Sequence, residues 1–307
     1  MESTLARTWD RGPRWLSVSS RRTARRWGAC GRGGAALGIA LLAAGCTKQE
    51  PAGKQTTPAD AESEGRAPTT AATSAAAHRT ADAQAAFAER QTRRDRMVDE
   101  TIVARGVTDV RVVTAMRKVP RHRFVPPAQR DLAYEDRPLP IGDGQTISQP
   151  YIVAFMTQAA RPSPNDRCLE IGTGSGYQAA VLAEVCADVF SIEYLPSVAA
   201  RGERALRSLG YGPDRVHLRV GDGYRGWPEQ APFEVILVTA APESVPPPLL
   251  EQLAVGGRLV IPVGRQSGAQ GLERWTRRQP GSKREAFKVD ELMQVSFVPF
   301  LGEAAAR

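Results

Sequence analysis

Leu169-Glu170-Ile171-Gly172-Thr173-Gly174-Ser175-Gly176-Tyr177 is the stretch on which the fold turns. The apolar run at 167–171 reads as a strand, and glycines at alternate positions then lead into a helix predicted over about 176–186. Such glycines let the backbone turn sharply and approach a ligand, while the helix N-terminus offers unpaired N–H groups. A dinucleotide fingerprint would need Gly or Ala at 177, where Tyr177 stands. A lone Gly-rich turn can also be purely structural, so the flanking pattern has to decide.

That pattern alternates. Strands are predicted at 189–193, 216–220, 235–239 and 258–263, with helices near 197–209 and 246–254 between them. The tail adds a weaker strand at 272–275 and a clearer one at 295–300. Short apolar strands alternating with helices specify an α/β, doubly wound sheet. Upstream, two amphipathic helices are divided at Gly106, which suits a position just past a helix end, with Thr108 or Asp109 capping the second.

Acidic residues fall at the strand ends. Glu193 closes the second strand, where a carboxylate can accept from both hydroxyls of a ribose, and Asp222 in Gly221-Asp222-Gly223 follows the third, placed for an adenine amino group. Each alone is commonly a cap or turn residue. With Glu170 before Gly172-x-Gly174-x-Gly176, they resemble the motifs of class I S-adenosylmethionine-dependent methyltransferases, a Rossmann-like fold that binds its ligand at the carboxyl edge of the sheet.

The chain has 307 residues, 42% hydrophobic and 24% charged, enough for a sizeable core. Its +8 charge is concentrated in residues 1–46, which hold eight Arg against Glu2 and Asp10, leaving 33 basic and 31 acidic residues in 47–307. No basic domain remains, so no nucleic-acid partner is expected. Cys30, Cys46, Cys168 and Cys186 form no CxxC pair, and His78, His122 and His217 are far apart, so neither a metal site nor a disulfide framework is expected.

The first 46 residues read as an export signal: Arg-rich to Arg32, then fifteen uncharged residues from Gly33 to Thr47. This apolar core is too short to span a bilayer comfortably. It closes on Leu42-Ala43-Ala44-Gly45-Cys46, which resembles a lipoprotein box and makes Cys46 the candidate lipidation site and the sole route to a membrane. The competing reading is an upstream leader with translation starting at Met97, leaving a cytoplasmic protein. Residues 47–86 contain no Leu, Ile, Val, Met or aromatic residue and are expected to be a disordered linker, with the folded domain at 87–307: a helical part at 87–165 and the Rossmann-like core at 166–307.

Pro138-Leu139-Pro140-Ile141-Gly142-Asp143-Gly144-Gln145-Thr146-Ile147-Ser148-Gln149-Pro150-Tyr151 precedes the sheet. Ser148 before Gln149-Pro150 can be a helix cap. It lacks a Gly-x-Ser-x-Gly elbow, which excludes a serine hydrolase of that type. Together with Val119–Pro126, Leu169–Gln178, Gly221–Tyr224, Val238–Pro242, Pro262-Val263-Gly264 and Phe297-Val298-Pro299, this block resembles, in order and over about 93–301, the protein-L-isoaspartate O-methyltransferase family. The first 90 residues depart from a family whose members are usually cytosolic.

The resemblance implies methyl transfer from S-adenosylmethionine to the carboxylate of L-isoaspartyl residues in damaged proteins, initiating repair through a succinimide. It implies Ser148 as the active-site residue. Cofactor contacts would come from Thr146, Ile147, Glu170, Gly172, Thr173, Gly174, Ser175, Gly176, Glu193, Asp222 and Gly223. No metal and a monomer are expected. The alternatives are a small-molecule methyltransferase on the same fold, or a catalytically silent envelope-tethered lipoprotein, since a chain exported past Cys46 would meet little S-adenosylmethionine.

Overall fold

The computed structural model describes residues 81–302. The signal segment with Cys46, and most of the expected linker, lie outside the described residues. The chain is helical from residue 81, earlier than the boundary at 87, and Ala83 and Ala86 are buried. Ala-rich sequence is a good helix former once one face has something to pack against.

Helix α1 (Gln91–Met97) runs on through a π turn and a 3₁₀ turn to Gly106, whose φ of 90° is the left-handed conformation expected past a helix end. Helix α2 (Val110–Lys118) is capped by Asp109, which accepts from Arg111 N at 3.0 Å, resolving the choice between Thr108 and Asp109. A hairpin of β1 (Leu139–Gly142) and β2 (Gln145–Ile147) leads into α3 (Pro150–Ala160).

Seven strands form the central sheet: β3 (Arg167–Ile171), β4 (Asp188–Glu193), β5 (Val216–Val220), β6 (Phe233–Val238), β7 (Leu253–Val263), β8 (Gln270–Arg277) and β9 (Phe287–Val295), in the order β5-β4-β3-β6-β7-β8-β9. The first five are parallel, and β8 and β9 close one edge as an antiparallel meander. Helices α4 (Tyr177–Ala183), α5 (Pro196–Ser208) and α6 (Pro247–Glu251) make three of the crossovers, and the β5-to-β6 connection runs through two 3₁₀ turns. The order reverses at β3, from which the chain runs outward to β4 and β5 and then returns to β6. That reversal opens the crevice in which open α/β sheets bind ligands.

Alternate residues of β3 enter two cores. Cys168 packs with Met97, Ile102, Met116 and Val181 on the face covered by α1 to α4. Leu169 and Ile171 pack with Phe190, Ile236 and Leu259 on the other. Strands covered on both faces read as continuous apolar runs, which is why β3, β4 and β6 lie within two residues of their expected ends, whereas the edge strand β5, Val-His-Leu-Arg-Val, is apolar only at alternate positions.

Three expectations are corrected. The predicted strand at 295–300 is displaced: β9 ends at Val295, and the following segment touches the sheet through one parallel bridge, Ala241 to Pro299. Strand β7 begins at Leu253 rather than 258, inside the helix expected over 246–254, and passes through Gly256 at φ 84°. Cys168 and Cys186 form a disulfide with Cα atoms 6.4 Å apart. Their separation of 18 residues spans one strand-loop-helix unit, whose helix returns beside the start of its own strand. Among the described residues, no helix is long and apolar enough to cross a membrane.

Candidate active site

At the end of β3 the chain folds over the sheet edge. Gly172 (φ 96°) lies so close to Thr239 that a Cβ would collide with its hydroxyl, which donates to Gly172 O at 2.7 Å. Gly174 N donates to Glu193 Oε2 at 2.8 Å, and Glu193 Oε1 accepts from Leu195 N at 3.0 Å. Glu193 therefore braces the glycine turn from the neighbouring strand while lining the cavity above it. Each carboxylate oxygen keeps a further lone pair for a ligand hydroxyl.

Glu170 points the other way, into the core beneath the turn, and is fully buried. One oxygen accepts from the Ser191 hydroxyl, which is also within 2.6 Å of Thr173 Oγ1. Its Oε1 has no hydrogen-bond partner and the residue lines the cavity. Burial, reinforced by the Glu193 charge and opposed by Ser191, pushes the carboxyl up from 4.5 to about 8. An unpartnered, desolvated carboxyl oxygen lining a cavity can accept from a cationic donor.

Of the residues expected at the cofactor, Thr146, Ile147, Glu170, Gly172, Thr173, Gly174, Ser175, Glu193 and Gly223 line this cavity together with Ser148. Two do not. Gly176 (φ 86°) packs against α5, where a Cβ would press on Gly202 O and Leu206, so its glycine serves helix packing. Asp222 accepts from Tyr224 N at 2.9 Å and caps the 3₁₀ turn, while the adjacent Gly223 backbone reaches the cavity.

Sequence reasoning missed Tyr194, Thr239 and the Val298–Phe300 wall, although two of these lie in blocks already noted for family resemblance. Tyr194 follows Glu193 and is 41% exposed, a large aromatic left uncovered beside the cavity. An exposed aromatic next to a strand-end acid is the sequence signal that could have found it.

The hairpin forms the opposite wall. Its turn, with Asp143 at φ 51° between Gly142 and Gly144, is tied to α5 by Ser197 Oγ at 3.1 Å and by an ion pair with Arg201. Ser148 follows β2, half-buried. It does not cap α3: the N-cap is Gln149, without a side-chain cap, and Tyr151 N donates instead to Asp136 Oδ1 at 3.0 Å. Gln149 Nε2 donates to Asp136 Oδ2 at 2.6 Å. The Ser148 hydroxyl makes no hydrogen bond among the described residues.

A second groove, about 300 Å³, opens beside the first cavity. Thr146, Ser148, Thr239 and Val298 line both, so they mark the junction. Among the described residues, no group of three or more His, Cys, Asp or Glu side chains is placed to hold a metal.

Residues 92–305 match the family described as Protein-L-isoaspartate(D-aspartate) O-methyltransferase. A protein-L-isoaspartate O-methyltransferase of Opitutus terrae is 56% identical over 222 residues, 72% of this chain and 92% of that protein. One of Gloeobacter violaceus is 57% identical over 67% of this chain and 98% of its own length. A solved protein-L-isoaspartate O-methyltransferase superposes with a TM-score of 0.60 at 29% identity, covering 68% of this chain and 66% of the other.

Proposed function

We propose, from the premise that the chain belongs to the protein-L-isoaspartate(D-aspartate) O-methyltransferase family, that its two adjoining cavities divide one reaction between them. The protein is an S-adenosylmethionine-dependent carboxyl methyltransferase that acts on isoaspartyl residues of damaged proteins and so starts their repair. The cavity of Glu170 and Glu193 holds the methyl donor, and the groove holds the peptide. One observation carries this division: the Ser148 hydroxyl, free of any capping duty, stands where the two cavities meet.

The donor supplies an electrophilic methyl on a sulfonium and carries a cationic ammonium. The residues present fit it. Glu170 Oε1, buried and unpartnered, accepts a cationic donor, and Glu193 accepts ribose hydroxyls on the lone pairs left by Gly174 and Leu195. Tyr194 offers a ring face to the adenine, and the Gly223 backbone offers polar groups to its edge.

The acceptor carboxylate has an ordinary pKa of about 4 and is ionised at neutral pH, so no general base is required. One carboxylate oxygen forms the bond to the methyl carbon as the methyl-sulfur bond breaks, and the electron pair returns to sulfur. A cation and an anion become two neutral groups. Such a step gains from a dry site, and Ile147, Val298 and Phe300 give the cavity apolar walls there. Ser148 donates to the oxygen that does not attack, which fixes the carboxylate's orientation. The ester then cyclises to the succinimide without the enzyme.

Purified protein should label isoaspartyl peptides and not matched aspartyl peptides. Moving the carboxylate by one methylene misaligns it with the methyl, at a cost of about a hundredfold. Equal labelling would favour a generic methyltransferase.

We further propose export and lipid anchoring at Cys46. The Cys168–Cys186 disulfide supports this, because such bonds persist in oxidising compartments. The residues ahead of Met97 also count against a start at that methionine. Fully buried Arg94 donates through Nε to Arg117 O and through Nη1 to Glu89 O at 3.2 Å, and Glu89 pairs with His122 at 2.8 Å and with Arg123. A chain begun at Met97 would leave buried His122 without this partner. The packed helical segment at 81–88 also extends the folded part ahead of the expected boundary at 87.

A further inference from the structure

Arg105 ends the 3₁₀ turn before Gly106 and lines the peptide groove. Its guanidinium lies 3.5 Å from the centroid of the Tyr151 ring, and Nη1 donates to Asp136 Oδ2 at 2.8 Å. Stacking and ion pairing together hold a planar cation in one orientation, which lowers the entropy cost of a further contact. The side chain remains 45% exposed.

Polarity changes sharply between the cavities. The donor cavity is lined by the two acids Glu170 and Glu193 and by no basic side chain among the described residues. The peptide groove is the reverse: Arg105 is its one charged lining residue among the described residues, and Asp136, paired from behind, does not line it. The remainder of the lining is amide, hydroxyl and apolar groups such as Gln149, Gln294, Ser296, Ile152 and Met293.

We propose that Arg105 is a specificity-determining residue that engages an acidic side chain flanking the isoaspartate in the substrate. This rests on the groove being the peptide site. The alternative source of a carboxylate is the acceptor group itself, and one observation and one chemical argument disfavour it. Arg105 lines the groove alone, whereas the junction is formed by Thr146, Ser148, Thr239 and Val298. An ion pair at the acceptor would also draw electron density from the attacking oxygen and oppose the transfer. A flanking carboxylate meets the guanidinium without that conflict.

The test uses isoaspartyl peptides with Glu, Gln or Lys placed next to the isoaspartate on either side. The purified protein and its Arg105→Gln and Arg105→Lys variants are assayed at low and high salt. The wild type should favour Glu over Gln by about threefold to fivefold in kcat/KM, the return from a half-exposed ion pair, and disfavour Lys. The preference should lie in KM and shrink as salt rises. Arg105→Gln should bring the Glu-to-Gln ratio close to one, and Arg105→Lys should restore part of it. A wild type indifferent to flanking charge overturns the proposal. So does an Arg105→Gln loss that is equal for all peptides, which would mean Arg105 holds the acceptor or only steadies Asp136. Should Arg105→Gln fail to fold, the wild-type series, its salt dependence and the lysine variant still decide. Methylation of no isoaspartyl peptide by the wild type would overturn the functional reading, and the proposal with it.

Discussion

Glu170→Gln should make the ligand-free protein more stable, by an amount that grows with pH. Glu170 is fully buried and its carboxyl is pushed from 4.5 to about 8 by that burial first and by Glu193 second. Below pH 4.5 folded and unfolded chains both keep the proton. Between 4.5 and 8 the unfolded chain releases it first, so the folded state binds more protons and stability falls with rising pH. Above 8 the loss is complete, and at about 1.4 kcal/mol per pH unit it reaches up to about 5 kcal/mol. Glutamine has the same shape, can meet Ser191, and never ionises. Urea denaturation at pH 5.5, 7 and 8.5 should show the variant ahead by about 1 kcal/mol at the lowest pH and by several at the highest. Donor binding should reverse the order. A cation beside Oε1 stabilises the ionised form, so the wild type should release a proton on binding at pH 7, visible by calorimetry in buffers of different ionisation enthalpy. The variant should bind more weakly by about 1.5–3 kcal/mol, the worth of a hydrogen bond to a charged group. Parallel pH-stability profiles for the two proteins would refute this account of Glu170.

Ser148→Ala should change stability by less than about 0.5 kcal/mol, because no hydrogen bond is lost, yet turnover on isoaspartyl peptides should fall by about tenfold to a hundredfold; an unchanged kcat would remove Ser148 from the mechanism. Cells producing the full chain should carry it in the membrane fraction with Cys168 and Cys186 joined, and a Cys46→Ala variant should leave that fraction. Finding both proteins in the cytoplasm with free thiols would overturn export.

Strands β3, β4 and β6 were legible because burial on both faces forces unbroken apolar runs, and the edge strand β5 because its apolar residues alternate; Glu193's place beside the cavity was legible because it ends its strand at the carboxyl edge of the sheet. The glycine turn was read as a single cofactor cradle, but its glycines do different work. Gly172 yields to Thr239 and Gly176 yields to α5, and which neighbour crowds a glycine is fixed by crossovers that local sequence does not encode. Asp222 illustrates the same limit: a side chain one residue from the cavity turned to the nearest free backbone N–H. The disulfide was invisible for want of a spacing motif, since its cysteines meet only through the βα return. Arg105 and Asp136 were missed because they reach the site from the helical part, through contacts 31 and 13 residues away in sequence.

The freedom of Ser148 has a backbone origin. Pro150 opens α3 and has no N–H, so the first donor of the helix that needs a partner is Tyr151 N. Had Ser148 or Gln149 met that need, its side chain would have been turned toward the helix and away from the junction. Asp136, arriving from outside the helix, accepts from Tyr151 N, from Gln149 and from Arg105 at once. One carboxylate thus satisfies the helix start, steadies the groove's cation and leaves the serine hydroxyl uncommitted. A proline after Ser-Gln, together with an acid upstream, places an idle hydroxyl at the edge of a helix that a simple N-cap would have occupied, and an idle, positioned donor is what orientation of a carboxylate requires.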